Sequence, residues 1–217
     1  MRSDARQNRR RLLDAAIELI LEIGGEPTRD AIARRAGVGV GTLYRHFPDR
    51  QALLHAVVLD VLDRTIDQGE RSLVESATGG DALRRYTHAA IDAGLGVVNV
   101  VHPLLDSADW PDRHADARDM LDRLIAVARR DGTIGDDVTA TDIALATIRF
   151  CRPLAIGLDH AAERAVAHRQ LDHYLDGLTR TRTSRTATPS IDSTSNTAPS
   201  ASRVSPAAGT RPRWAMR

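Results

Sequence analysis

The chain has 217 residues, 42% of them hydrophobic and 27% charged, with a formal net charge of +1; this is the composition of a soluble globule with enough chain for a core in one or two domains. No stretch approaches the ~20 apolar residues of a membrane-spanning helix, and Asp14, Glu18 and Glu22 interrupt the apolar run a signal peptide would need. The total charge hides an uneven distribution: residues 1–50 hold 10 arginines against 7 acids, residues 51–180 hold 14 against 21, and residues 181–217 hold 6 against 1, which suits a protein whose N-terminus meets phosphate while its body does not.

The first predicted helix runs from about Gln7 to Ile23, with Leu13, Ala16, Ile17, Ile20 and Ile23 on one face; Gly24 and Gly25 end it. Thr28 then has the position and chemistry of an N-cap. Ala31, Ile32 and Ala36 share a helical face, and Gly37 supplies the left-handed C′ conformation that stops the helix. A second short helix starts near Gly39 or Val40 and ends at His46. Leu43 and Phe47 anchor it inward, and Thr42, Arg45 and His46 face out. Gly41 is costly inside a helix, by about 1 kcal/mol relative to alanine. It reads either as a loose helix start or as a place where a side chain would block close approach to DNA. Two short helices joined by a glycine turn, the second carrying Thr42, Tyr44, Arg45 and His46, have the pattern of a DNA-reading helix-turn-helix over residues 28–47.

The run IARRAGVGVGTLYRHFPDRQALL is similar to the N-terminal domain of the tetracycline-repressor (TetR) family of bacterial transcription regulators, over about Arg9 to Leu62. The resemblance implies an all-α protein of about nine helices. A three-helix DNA-binding domain (residues 1–50) is followed by a helical ligand-binding and dimerisation domain (51–180). It further implies that Thr28, Thr42, Tyr44, His46 and Arg50 contact phosphates, while Val40 and Arg45 approach base edges. With Arg29 and the close-approach glycines Gly39 and Gly41, these form the candidate DNA-facing set. Two positions depart from the family's habit. Gly39 stands where serine or threonine is usual and brings no hydroxyl, and Arg50 stands where lysine is usual, replacing a compact ammonium with a planar fork.

After Pro48 a long helix is expected from about Asp49 toward Ser76, followed by one from about Asp81 to Val98. Residues 99–113 read as irregular, then comes a helix over Ala115–Arg130. Thr139 and Asp142 have capping-box spacing and open a helix to about Gly157, kinked at Pro153. A last helix covers Ala162 to about Leu178. Residues 181–217, rich in Ser, Thr, Ala, Pro and Arg, read as a disordered tail. The single cysteine, Cys151, excludes an internal disulfide and a four-cysteine metal site, and fits a reducing cytoplasm.

The resemblance also implies a homodimer on a double-stranded DNA operator and a small-molecule effector in a pocket among the middle helices. Candidate pocket residues are Leu95, Val98, His102, Leu105, Trp110, Met120, Leu124, Arg149, Phe150 and Arg152, each of which also reads as plain core. With only seven aromatic residues in the chain, an aliphatic or acyl ligand fits better than a flat stacked one. Leu171, Tyr174, Leu175 and Leu178 form a stripe that reads equally as dimer interface or internal core. No cofactor, metal ligand set or catalytic residue is called for. The rival readings are an enzyme using the His102, Asp106 and His114 segment with a metal, and a helical adaptor that has lost DNA binding.

Overall fold

The computed structural model describes residues 2–105, 113–152 and 159–185. These form nine α-helices and one 3-10 turn, with no strand among the described residues. In chain order they are α1 (Arg2–Ile23), α2 (Arg29–Ala36), α3 (Val40–His46), α4 (Arg50–Glu75), α5 (Gly79–Asp92), α6 (Val97–Val101), the 3-10 turn His102–Leu104, α7 (Arg113–Arg130), α8 (Ala140–Phe150) and α9 (His160–Arg185).

Local chemistry explains most boundaries. The Thr28 hydroxyl accepts from the Ala31 N–H (3.2 Å) and caps α2. Gly37 ends α2 with φ +64°, and the Gly37 and Val38 N–H groups return to Arg34 O and Ala33 O in a Schellman closure. Asp49 caps α4 through the Ala52 N–H at 2.7 Å. Thr139 and Asp142 close the expected capping box on α8, each side chain accepting the other's backbone N–H.

Four boundaries differ from the sequence expectation. α1 begins at Arg2 rather than Gln7. The helix expected to reach Val98 stops at Asp92, because Gly94 takes φ +89° and a second Schellman closure forms, Gly94 N–H to Ile91 O and Leu95 N–H to Ala90 O. A side chain at 94 would meet Ile17 Cγ2 at 2.6 Å, so the glycine is also a packing requirement. α8 ends at Phe150 instead of continuing through a kink. The residue before a proline is disfavoured in the α region, and Pro153 itself lies outside the described residues. α9 runs to Arg185, past Leu178, so residues 181–185 of the expected tail are helical; no glycine or proline interrupts the chain between Gly177 and Pro189. The remainder of the tail, 186–217, lies outside the described residues.

Two hydrophobic clusters hold the helices. The first joins α1, α2, α3 and the first half of α4, with Leu12, Ile20, Ile32, Leu43, Phe47 and Val57 buried, and it takes in Leu95, Val97, Val101 and Leu105. The second joins α5, α7, α8 and α9 through residues such as Leu83, Leu124, Ile125, Ile143 and Leu171. α4 contributes to both, since Ile66 and Leu73 pack on the second cluster. No described helix is long and apolar enough to cross a membrane.

Candidate nucleic-acid interface and internal cavity

α3 is only seven residues long, too short to be stable alone. It is held by Leu43 and Phe47, which are 0% and 2% exposed in the first cluster. The Arg9 guanidinium lies 4.9 Å from the Phe47 ring centroid. Arg11 Nη2 donates to Gly37 O at 3.3 Å, pinning the turn to α1. Arg35 makes a bidentate pair with Glu22 (both contacts 2.8 Å) and reaches Glu18 at 3.3 Å. The Arg35 hydrogen bond holds the Glu22 carboxyl below the usual carboxylate range. Thus Arg35 ties α2 to α1.

The outward side of α3 is different. Val40 is 40% exposed and Tyr44 47% exposed. These are two of the five large hydrophobics the described residues leave exposed, both on one seven-residue helix. Arg45 is exposed, and Thr42 and His46 are half-buried beside it. Arg29 at the start of α2 lies over the Tyr44 ring, 4.8 Å from its centroid, so the two candidates form one surface. Among the described residues no ion pair uses an α3 side chain. Gly39 caps α3 with ordinary extended geometry and no side-chain hydrogen bond. A Cβ added at Gly39 or Gly41 would meet nothing within 4 Å, so packing within the chain does not require either glycine.

Arg50 sits apart from this exposed row. Its Nε donates to both Glu26 oxygens at 2.8 and 2.9 Å, and its Nη1 reaches Leu104 O at 3.4 Å. Gln51 Nε2 donates to the same carbonyl at 3.2 Å. The first turn of α4 is therefore tied to the turn that follows α6. The spacing of 53 and 54 residues put these contacts beyond sequence reasoning.

The second half of the molecule contains an apolar cavity of about 250 Å³. Its wall includes Leu62 and Thr65 of α4, Tyr86 of α5, Leu121 of α7 and Ile143 of α8. Thr65 and Thr147 donate their hydroxyls to carbonyls of their own helices, Val61 O and Ile143 O, and offer the cavity little polarity. Burial pushes the Tyr86 phenol well above its usual range. Arg118 is exposed at the rim.

The ten expected pocket residues do not share this cavity. Leu95 and Val98 line it. Arg149, Phe150 and Arg152 line a separate, more polar cavity of about 280 Å³ with His160 and Arg164. Met120 and Leu124 are buried in the second cluster and Leu105 in the first, while His102 is exposed on the 3-10 turn. Trp110 lies outside the described residues, as does Asp106 of the metal rival. The other expected pocket residues are thus spread over two cavities, two cores and an exposed turn.

The α9 stripe is resolved similarly. Leu171 and Leu175 are 0% and 5% exposed within their own chain, and Leu178 packs partly on the same cluster. Tyr174 meets Phe150 edge to face, with ring centroids 5.9 Å apart. Leu171 and Leu175 are therefore core residues of their own chain. Burial pushes the Cys151 thiol up to about 12, so it carries little thiolate at neutral pH.

A three-helix bundle that presents a short, solvent-facing third helix after a tight glycine turn defines the helix-turn-helix class. Residues 12–57 match the family model described as bacterial regulatory proteins, tetR family. A TetR transcriptional regulator from Streptomyces coelicolor is 34% identical with a TM-score of 0.60, the match covering 79% of this chain and 98% of that one. A TetR transcription regulatory protein from Mycobacterium vanbaalenii is 33% identical with a TM-score of 0.59, covering 82% and 98%. The chain belongs to the TetR family. A curated relative, an HTH-type transcriptional regulator of Staphylococcus aureus strain USA300, is 44% identical over 64 residues. That match spans 29% of this chain and about a third (35%) of the relative's length.

Proposed function

We propose that this protein is a one-component transcriptional repressor of the cytoplasm, binding a palindromic DNA operator as a homodimer and released by a small molecule. The observation that carries the reading is the uncommitted face of α3. Val40 and Tyr44 stay exposed and Arg45 stays outside every described ion pair, on a helix whose other side is fixed by Leu43 and Phe47. An isolated soluble domain gains nothing from such a face, whereas a major groove offers it phosphates, base edges and thymine methyls. In this reading Thr28, Arg29, Thr42, Tyr44 and His46 take phosphates and Arg45 and Val40 approach bases. Gly39 and Gly41 let the backbone come close. Arg50 acts through its pair with Glu26, positioning α4 instead of standing free for phosphate.

The effector in this reading is an apolar molecule, aliphatic or acyl, seated in the cavity bounded by α4, α5, α7 and α8. Arg118 at the rim suits a ligand with an anionic end. Leu62 and Thr65 place α4 in the cavity wall, and Arg50 and Gln51 tie the other end of α4 to Leu104. A ligand that displaces α4 thereby changes the spacing of the two recognition helices in the dimer, about 34–36 Å for half-sites one turn apart. A ligand favouring the DNA-incompetent state by ~10³-fold supplies about 4 kcal/mol of coupling.

The test is selection of genomic fragments by the purified protein, followed by fluorescence anisotropy on the recovered sequence. The reading expects two inverted half-sites and a steep fall of affinity with salt. Recovery of no specific fragment, or a flat response to salt, would sink it and favour the adaptor reading.

A further inference from the structure

Away from both sites, α5 and α9 are joined by a chain of ionisable side chains. His88 Nδ1 and His168 Nδ1 lie 2.6 Å apart. His88 Nε2 lies 2.9 Å from Asp172 Oδ1, and His168 Nε2 lies 3.0 Å from Asp92 Oδ1. The ring centroids are 4.9 Å apart and the planes differ by 13°. Twice the centroid-to-nitrogen distance of an imidazole accounts for the gap between 4.9 and 2.6 Å, so the rings meet edge to edge, nearly in one plane. This is the geometry of an N–H···N hydrogen bond, not of face-to-face stacking.

Proton counting then fixes the charge. A carboxylate only accepts, so each Nε2 must carry a proton to make its contact. The Nδ1 to Nδ1 contact needs one proton and one lone pair. Four ring nitrogens therefore hold three protons between them: one imidazolium and one neutral imidazole. If the pair loses that extra proton, either the Nδ1 atoms face each other with two lone pairs or a bare Nε2 faces a carboxylate. If it gains another, two N–H groups collide at 2.6 Å. The arrangement is satisfied in one protonation state only, and the short contact fits a charge-assisted bond.

The surrounding charges support that state. From α5 come Arg84 and Asp92; from α9 come Asp172 and Asp176, both paired with Arg84. Asp172 lies below its usual range: burial raises it, but the bonds from His88 and Arg84 outweigh the burial. At the end of α8, Cys151 faces Asp92 as a protonated thiol. α4 and α7 also pack on α5; Glu75 of α4 pairs with Arg85 of α5, and the other charges of α4 and α7 meet one another in Arg123–Glu70 and Arg113–Asp63.

We propose that Asp92–His168–His88–Asp172 is a proton-operated clasp that locks α5 to α9 only while the two imidazoles share one extra proton. The same α5 carries Tyr86 and Ala90 in the cavity wall, so opening the clasp frees one wall of the cavity. Histidine is the side chain suited to such control between pH 5 and 8, and the proton belongs to the pair rather than to either ring.

The experiment uses the full-length protein. Long-range 1H–15N spectra should show both Nε2 atoms protonated and the two Nδ1 atoms sharing one proton over a limited pH window. Melting temperatures of the wild type, His88→Gln, His168→Gln and the double variant are then compared across pH 5–9. The clasp predicts that each single substitution lowers Tm by about 2–4 °C within that window and by less on both sides of it. It also predicts that the double variant is no worse than either single one. Additive effects that run parallel to the wild type at every pH would overturn it, as would spectra of two independently titrating rings. Stoichiometric binding of added Zn²⁺ that is lost in either variant would overturn it in favour of a metal site. The spectra of the wild type decide the matter even where a variant fails to fold.

Discussion

The two ends of α4 differ in what their neighbouring helices leave unpaired. Around its first half Arg35 and Arg50 are paired with Glu22 and Glu26, but the short helix α3 keeps Val40, Tyr44 and Arg45 outside any ion pair. Around its second half the charges are consumed internally: Arg84 by Asp172 and Asp176, Arg123 by Glu70, Arg113 by Asp63 and Asp116. Where charges neutralise one another the helices are being held together; where they are left unpaired on a rigid support, an outside partner is expected to supply the counter-charge. The same difference separates the faces of α3 itself, one fixed by Leu43 and Phe47 and the other open.

The largest effect should come from breaking the fixed face. Phe47→Ala removes one of the largest fully buried side chains, a change that costs about 3–5 kcal/mol in well-packed cores. Denaturant unfolding should show that loss, and DNA binding should fall with the fold. Arg45→Ala tests the open face. It should leave unfolding within about 0.5 kcal/mol of the wild type yet cost about 1–3 kcal/mol of operator affinity and relax the preference at one base position. If Arg45→Ala destabilises the protein without changing affinity, α3 has no reading face and the contrast collapses.

The helix ends are the part most legible in the sequence. Thr28, Gly37 and the Thr139–Asp142 box act through residues three to five apart, so their chemistry is visible in one dimension. What was not legible depends on distant partners. Arg50 looks like a free cation until Glu26, 24 residues earlier, folds against it. Gly94 hides inside an apolar run, and only the approach of Ile17 shows why glycine is needed there. Leu171 and Leu95 both follow helical period, but period says that a residue faces something, not whether that something is a core, a cavity or a partner.

Glycines sharpen the comparison at intermediate magnitude. A Cβ at Gly79 would meet Ala128 N at 2.4 Å, a backbone atom that cannot swing aside. Gly79→Ala should therefore lose about 1–3 kcal/mol of stability through overpacking, read as a lower Tm. A Cβ at Gly41 would meet nothing, and alanine is the better helix former. Gly41→Ala should hold or raise stability by up to about 1 kcal/mol while weakening operator binding. A gain in stability with unchanged affinity would show that Gly41 does not approach DNA.

Gly39→Ser should have the smallest effect, and it asks the narrowest question. Gly39 already has the extended backbone of an N-cap, and Thr42 N–H reaches its carbonyl at 2.8 Å. Serine can adopt that conformation without meeting a neighbour, and its hydroxyl can accept one of the unsatisfied N–H groups of α3. The gain over glycine at an N-cap is only a few tenths of a kcal/mol, a Tm rise of about 1 °C. On DNA the same hydroxyl can donate to a phosphate. Affinity should then rise slightly with no change in salt slope, because a neutral donor releases no counterion. An unchanged affinity alongside the higher Tm would place residue 39 away from the phosphate backbone. It would also confine the reading face to Val40 and the residues after it.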